Sequence, residues 1–167
     1  EKPSVAFDMA NALGPYEVGK DKDWYETSGF VITYAVGHLL ELVAPEVYNE
    51  KWKNWSLKQL PMLPEAFKYT PRDKKAATRL KVIKKLAHRK DVSGIINGCD
   101  AGREGEHIFR TILGQLDTEL PTQRLWLSSM TERAIIKGFQ ELKDSKGYDA
   151  LAAAAASRSE ADWLIGM

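Results

Sequence analysis

The stretch "NGCDAGREGEHIF", Asn97 to Phe109, decides how this chain is read. It sets three carboxylates, Asp100, Glu104 and Glu106, and two glycines, Gly102 and Gly105, within the seven residues from Asp100 to Glu106. A β-branched run, "VSGII" (92–96), leads into it, and a helix predicted from about Glu106 to Leu113 leads out. Carboxylates this close repel one another and stay ionised at pH 7 unless their pKa values are pushed up, so the cluster needs a cation or a proton. In open α/β sheets ligands sit outside the carboxyl ends of the strands, which is where Asp100 falls. Gly102 and Gly105 allow the tight backbone path that would turn Asp100 and Glu104 toward one point. Two or three converging carboxylates make a hard-oxygen site suited to Mg2+ held together with substrate phosphates. Acidic residues also serve helix N-termini, so the spacing alone has a plain surface reading beside the metal one.

Outward from this stretch, strand and helix signals alternate. "PSVAFDMANALG" carries apolar positions at Val5, Met9, Ala12 and Leu13, with Gly14 placed to end a helix. Residues 15–29 read as a loop or short hairpin around Trp24 and Tyr25. "FVITYAV" (30–36) reads as a strand, and Gly37 as a turn that brings His38 to a strand end. Residues 45–71 hold four prolines and two tryptophans without a clear period, an irregular excursion packed by its aromatics. "PRDKKAATRLKVIKKLAHRK" (71–90) is an amphipathic helix, with Ala76, Leu80, Ile83 and Ala87 on one face and lysines on the other. "RLWLS" (124–128) is a third strand. Ser129 and Glu132 then form a capping box before a helix that buries Ile135, Ile136, Phe139 and Leu142. The alanine-rich segment from Tyr148 onward is strongly helix-forming. This order predicts an α/β fold with a mostly parallel sheet flanked by helices.

Composition narrows the function classes. The formal net charge of +1 gives no global electrostatic argument for nucleic acid. The single cysteine, Cys99, excludes an internal disulfide and a multi-cysteine zinc site, and fits a cytoplasmic setting. No apolar stretch approaches the ~20 residues of a membrane span. The chain opens on Glu1 and stops at "ADWLIGM", and is expected to be a piece of a longer polypeptide.

"CDAGREGEHIF" resembles the acidic motif of the Toprim fold shared by topoisomerases and primases, usually written DxDxE. The likeness is closer to type IA DNA topoisomerases of the bacterial topoisomerase III kind: "EKPSVA", "VGHLLEL", "RLWLSSMTE" and "SRSEADWLIGM" resemble family segments in the same order. The resemblance implies a Toprim domain over 1–147 and the start of the following helical domain over 148–167. It implies an ATP-independent enzyme acting on single-stranded and negatively supercoiled DNA, in which a tyrosine of a later domain attacks a phosphodiester. By motif, Glu1 would be the acid that protonates the leaving 3′ oxygen and then the base in religation, with a raised pKa suiting the role. Asp100 and Glu104, with Glu1, would hold Mg2+; Lys2 and Arg103 would meet phosphate oxygens. His38 and Arg158 join them as DNA-binding candidates.

The sequence also departs from the family pattern. Gly102 stands where the fuller motif has a second aspartate, which argues for a single Mg2+ site and against a two-metal mechanism. None of the six tyrosines sits in a motif like the family's nucleophile, so this chain alone is expected not to cut DNA. Several candidates have plain readings beside the functional ones. Lys2 and Pro3 suit the first turn of a helix; His38 suits a strand end; Glu106 suits a helix dipole as well as a metal. Arg158 and Asp162 suit an ion pair one turn apart. The lysine face of 71–90 is either solvated surface or a DNA contact. Trp52 and Trp55 either pack under the excursion or stack on bases. Cys99 reads as a small buried residue. Two other functions stand beside this one: a Toprim nuclease or primase-like phosphotransfer domain using the same carboxylates, and a non-catalytic DNA-binding module in which the acidic cluster is inert and the basic helix does the work.

Overall fold

The computed structural model describes residues 2–54 and 56–166 of the 167-residue chain. Helix α1 (Pro3–Leu13) begins with Pro3 in its first turn and ends at Gly14, whose φ of 125° is open to glycine alone without strain. An antiparallel meander follows: β1 (Glu17–Val18), β2 (Trp24–Thr27) and β3 (Phe30–Thr33). Ser28 and Gly29, both at positive φ, make the two-residue turn between β2 and β3. Strand β4 (Leu40–Leu42) pairs antiparallel with β5 (Tyr69–Pro71). Between them runs the irregular excursion, with only the short α2 (Pro45–Tyr48) and single 3-10 turns. Its aromatics pack as expected, Trp52 lying against Tyr48 at 6.4 Å between rings; Trp55 lies outside the described residues.

Helix α3 (Lys74–Ala87) is capped by Asp73, whose carboxylate accepts the Ala76 amide at 2.7 Å. Strand β6 (Ile95–Asn97) leads into α4 (Arg103–Leu113), then β7 (Thr122–Arg124), α5 (Glu132–Gln140), β8 (Lys143–Asp144) and α6 (Asp149–Ile165). Strand β6 divides two apolar cores, because neighbouring residues on a strand face opposite ways. Ile96 packs with Met9 and Ala10 of α1, Tyr25, Ile32, Leu125 and Ile135. Ile95 packs with the faces of α3 and α4, among them Ala76, Leu80, Ile83, Ile108 and Ile112. The expected apolar face of the basic helix therefore is its buried face.

Two expectations need correction. The sheet is not mostly parallel: among the described residues the one parallel pairing is β6 with β7, and β8 adds to β7 antiparallel. Short turns join β1 to β3, and such links connect only antiparallel neighbours. The helix after "RLWLS" is capped by Thr131 rather than Ser129, its hydroxyl accepting the Ala134 amide at 3.3 Å. The third strand accordingly lies at Thr122–Arg124, upstream of the expected 124–128.

Candidate functional site

The acidic loop bridges the carboxyl end of β6 and the first turn of α4. Gly102 precedes the helix at φ 152°, and its carbonyl accepts the Glu106 amide at 3.1 Å. The first turn then presses onto the loop. A Cβ on Gly105 would stand 2.1 Å from the Asp100 carbonyl oxygen and 2.9 Å from its amide nitrogen, closer than packed atoms approach. The glycine at this position is thus a condition of the loop's shape.

Beneath the loop lies a buried polar cluster that the sequence reading did not identify. Arg124, Glu106 and Asn97 are all fully buried. Arg124 Nη1 donates to the carbonyls of Asn97 at 2.9 Å, Cys99 at 2.6 Å and Leu125 at 2.9 Å, and Nη2 to that of Asp100 at 2.8 Å. Its Nε lies 2.7 Å from Glu106 Oε1, a close ionic contact whose N–H is not aligned for a hydrogen bond. The same oxygen accepts from the Asn97 amide at 2.9 Å. Burial pushes the Arg124 guanidinium below its ordinary pKa, and the Glu106 carboxylate opposes that shift. Glu106 is therefore neither a metal ligand nor a dipole complement; it is the counter-charge of a buried arginine. No local sequence signal marks this pair, since Arg124 meets Asn97 only through the register of β7 on β6.

Above the loop, Asp100 and Glu104 are exposed and open onto one cleft of about 900 Å³. Its walls come from the loop, from the turn and strand after Gly37, and from α6. Glu104 Oε1 lies 3.4 Å from His38 Nε2. The His38 ring is 5.7 Å from that of His107, which is 6.0 Å from Tyr69. Burial, and then the neighbouring His38, lower the His107 pKa. Burial raises that of Tyr69, with Glu160 and Tyr48 adding to it. Arg103 and Arg158 line the same cleft, as does Arg72, which the sequence reading passed over. Arg158 and Asp162 do form an ion pair, loose at 3.8 Å and largely exposed.

The cleft thus brings together Asp100, Glu104, Arg103, His38 and Arg158. Lys2 is exposed ahead of α1 and is not among the described residues that line it. Glu1, expected as acid/base and metal ligand, lies outside the described residues. Among the described residues no group of three histidine, cysteine or acidic side chains converges to hold a metal. Two carboxylates opening onto one cleft nevertheless fit Mg2+, which keeps several waters and takes one or two carboxylates plus substrate phosphates rather than a closed cage.

The family model described as "Toprim domain" matches residues 1–130. Proteins named "DNA topoisomerase 3" are similar along the whole chain: that of Bacillus cereus (strain ATCC 14579) is 46% identical over 167 residues and that of Shouchella clausii 44%. That of Staphylococcus epidermidis is 42% identical. The chain spans 22–23% of the length of these relatives. No described helix is long and apolar enough to cross a membrane. The matched region contains the acidic loop and the strand and helix that hold it, and the chain belongs to the Toprim domain family.

Proposed function

We propose that this chain is the Toprim domain of a type IA DNA topoisomerase of the topoisomerase III kind, holding the metal and phosphates of a divided active site. The observation that carries the reading is the shared cleft: Asp100 and Glu104 open onto it beside the cationic side chains Arg72, Arg103 and Arg158. Asp100 and Glu104, with Glu1, would hold Mg2+, whose charge would offset that of the scissile phosphate. Glu1 would act as the acid and later the base at the 3′ oxygen. Arg103 offers a planar fork to phosphate oxygens, and Lys2, His38 and Arg158 offer further donors.

The nucleophile in this reading is a tyrosine outside this chain. Tyr69 does line the cleft, but burial and the nearby Glu160 raise its pKa, the reverse of an activated phenol. Residues 148–167 open the next, helical domain, and the chain's partners are single-stranded and negatively supercoiled DNA and the rest of its own polypeptide, in the cytoplasm.

The test is relaxation of negatively supercoiled plasmid by the full-length protein, with and without Mg2+, beside this chain alone. Mg2+-dependent relaxation by the full-length protein and an inert fragment support the divided site. Nicking by the fragment, or a full-length protein that never relaxes DNA, moves the assignment to a Toprim nuclease. Glu104→Gln should abolish relaxation while changing unfolding free energy by no more than about 0.5 kcal/mol, because an exposed side chain loses little on substitution. Full activity in that variant would sink the role given to Glu104.

A further inference from the structure

The charge of this chain is strongly segregated. Its formal net charge is +1, yet α3 holds five lysines and one arginine and no acidic residue. At about 100° per residue, Lys74, Lys81 and Lys85 fall within roughly 40° of one line along the helix, opposite the buried face of Ala76, Leu80, Ile83 and Ala87. All three are exposed, and none has an ion-pair partner among the described residues. Of the other cations of this region, Lys84 pairs with Asp117, Arg79 with Asp23, and Arg89, just past the helix, with Glu26 and Asp91, while Lys75 is exposed off the line with no ion pair among the described residues. The lysine line is left without internal neutralisation.

The helix is also rigidly mounted. Arg79 is buried, its guanidinium 3.8 Å from the Tyr34 ring centroid, and it donates to Asp23, to Thr33 Oγ1 at 2.7 Å and to the Tyr34 carbonyl at 2.8 Å. Its N-terminal end adjoins the cleft. Arg72, which lines the cleft, donates its amide to the Leu39 carbonyl at 3.0 Å, next to His38. We infer that the Lys74–Lys81–Lys85 line is a phosphate-backbone contact that carries a nucleic-acid strand to or from the cleft. The line is about 17 Å long, enough to meet several phosphates of one strand, and a fixed row of ammonium groups neutralises phosphates irrespective of sequence. This inference rests on the proposed DNA substrate and adds a second contact region outside the acidic site.

The test is binding of a labelled oligothymidylate to the full-length protein in EDTA, by anisotropy across a salt series, so that binding is read apart from cleavage. The triple variant Lys74→Gln, Lys81→Gln, Lys85→Gln should lower the slope of log K against log salt by about 2, at ~0.7 per lost contact on a single strand, with a tenfold or greater loss of affinity at low salt. Arginine at the same three positions should keep the slope, and Lys51→Gln, Lys53→Gln, Lys58→Gln on the exposed excursion should leave it unchanged. An unchanged slope in the first variant, or an equal fall in the excursion variant, overturns the inference. Lost binding to phosphatidylserine vesicles with an intact DNA slope overturns it also, in favour of a membrane surface. A full-length protein that relaxes plasmid yet keeps its slope refutes only the lysine line; one that loses slope but never relaxes DNA refutes only the topoisomerase reading.

Discussion

Arg124 reaches four main-chain oxygens and one carboxylate from a fully buried position. Arg124→Ala removes the nearer counter-charge of Glu106, leaving Arg110 Nε at 3.4 Å, and strips the loop carbonyls of their donor at once. A broken buried pair of this kind costs about 3–5 kcal/mol, to be read by denaturant unfolding. A loss under about 1 kcal/mol would mean that water replaces the guanidinium. His107 sets a pH dependence. Its folded pKa is lowered by burial and by His38, so near and below pH ~6.5 the unfolded chain binds more protons than the folded one. Its contribution to stability is therefore constant above that pH and falls as pH drops toward the depressed folded value. Unfolding measured across pH 5–8 should show this slope, and His107→Gln should flatten it. The surface carboxylates were legible because a strand end and flanking glycines mark them locally. The buried pair was not: whether an arginine is exposed or enclosed depends on partners such as Asn97 and Asp100, which are distant in sequence.

Among the elements, α5 shows how close packing fixes a helix. A Cβ on Gly138 would lie 2.6 Å from Leu127 Cδ2 and 2.8 Å from Leu125 Cδ1. Gly138→Ala should therefore destabilise despite the better helix propensity of alanine, by about 1–3 kcal/mol for overpacking against roughly 1 kcal/mol gained. Thermal unfolding that rises instead would show that the two leucines move aside freely. The end of α1 followed from a local signal, Gly14, whereas α3 starts at Lys74 behind its Asp73 cap and α4 at Arg103, not at the expected 71 and 106. Strand direction did not follow from local signals, although "SG" at 28–29 between two β-rich runs carried a hairpin signal. The β-branched content of "FVITYAV" identifies a strand but is silent on which neighbour it meets, and the short turn decides that.

Over the whole molecule, α6 is tied to the far side of the fold. Trp163 Nε1 donates to the Val43 carbonyl at 3.0 Å, and its ring meets Tyr48 and Phe67 edge-on at 5.7 and 5.4 Å. The excursion thus braces the helix that forms one wall of the cleft. Trp163→Ala should cost about 2 kcal/mol, less than a fully buried tryptophan, and loosen that wall. Hydrogen exchange should then quicken in α6 while β6 and α4 keep their protection. Equal loss of protection throughout would mean that α6 is integral to a single cooperative unit.

The acidic loop is gripped from below through its main chain, by Arg124 and by the close approach of Gly105, while Asp100 and Glu104 project from above. Shape and reactivity are thereby assigned to different atoms of the same residues. Such a loop can exchange one outward group for another without being remoulded, because no outward group supports it. Gly102 is the exception, because its φ of 152° is a backbone that a carboxylate-bearing residue adopts only under strain, so the missing third carboxylate belongs to the loop's shape. The charges at positions 100 and 104 are thus separable from the curve of the backbone that presents them, while the glycines at 102 and 105 hold that curve.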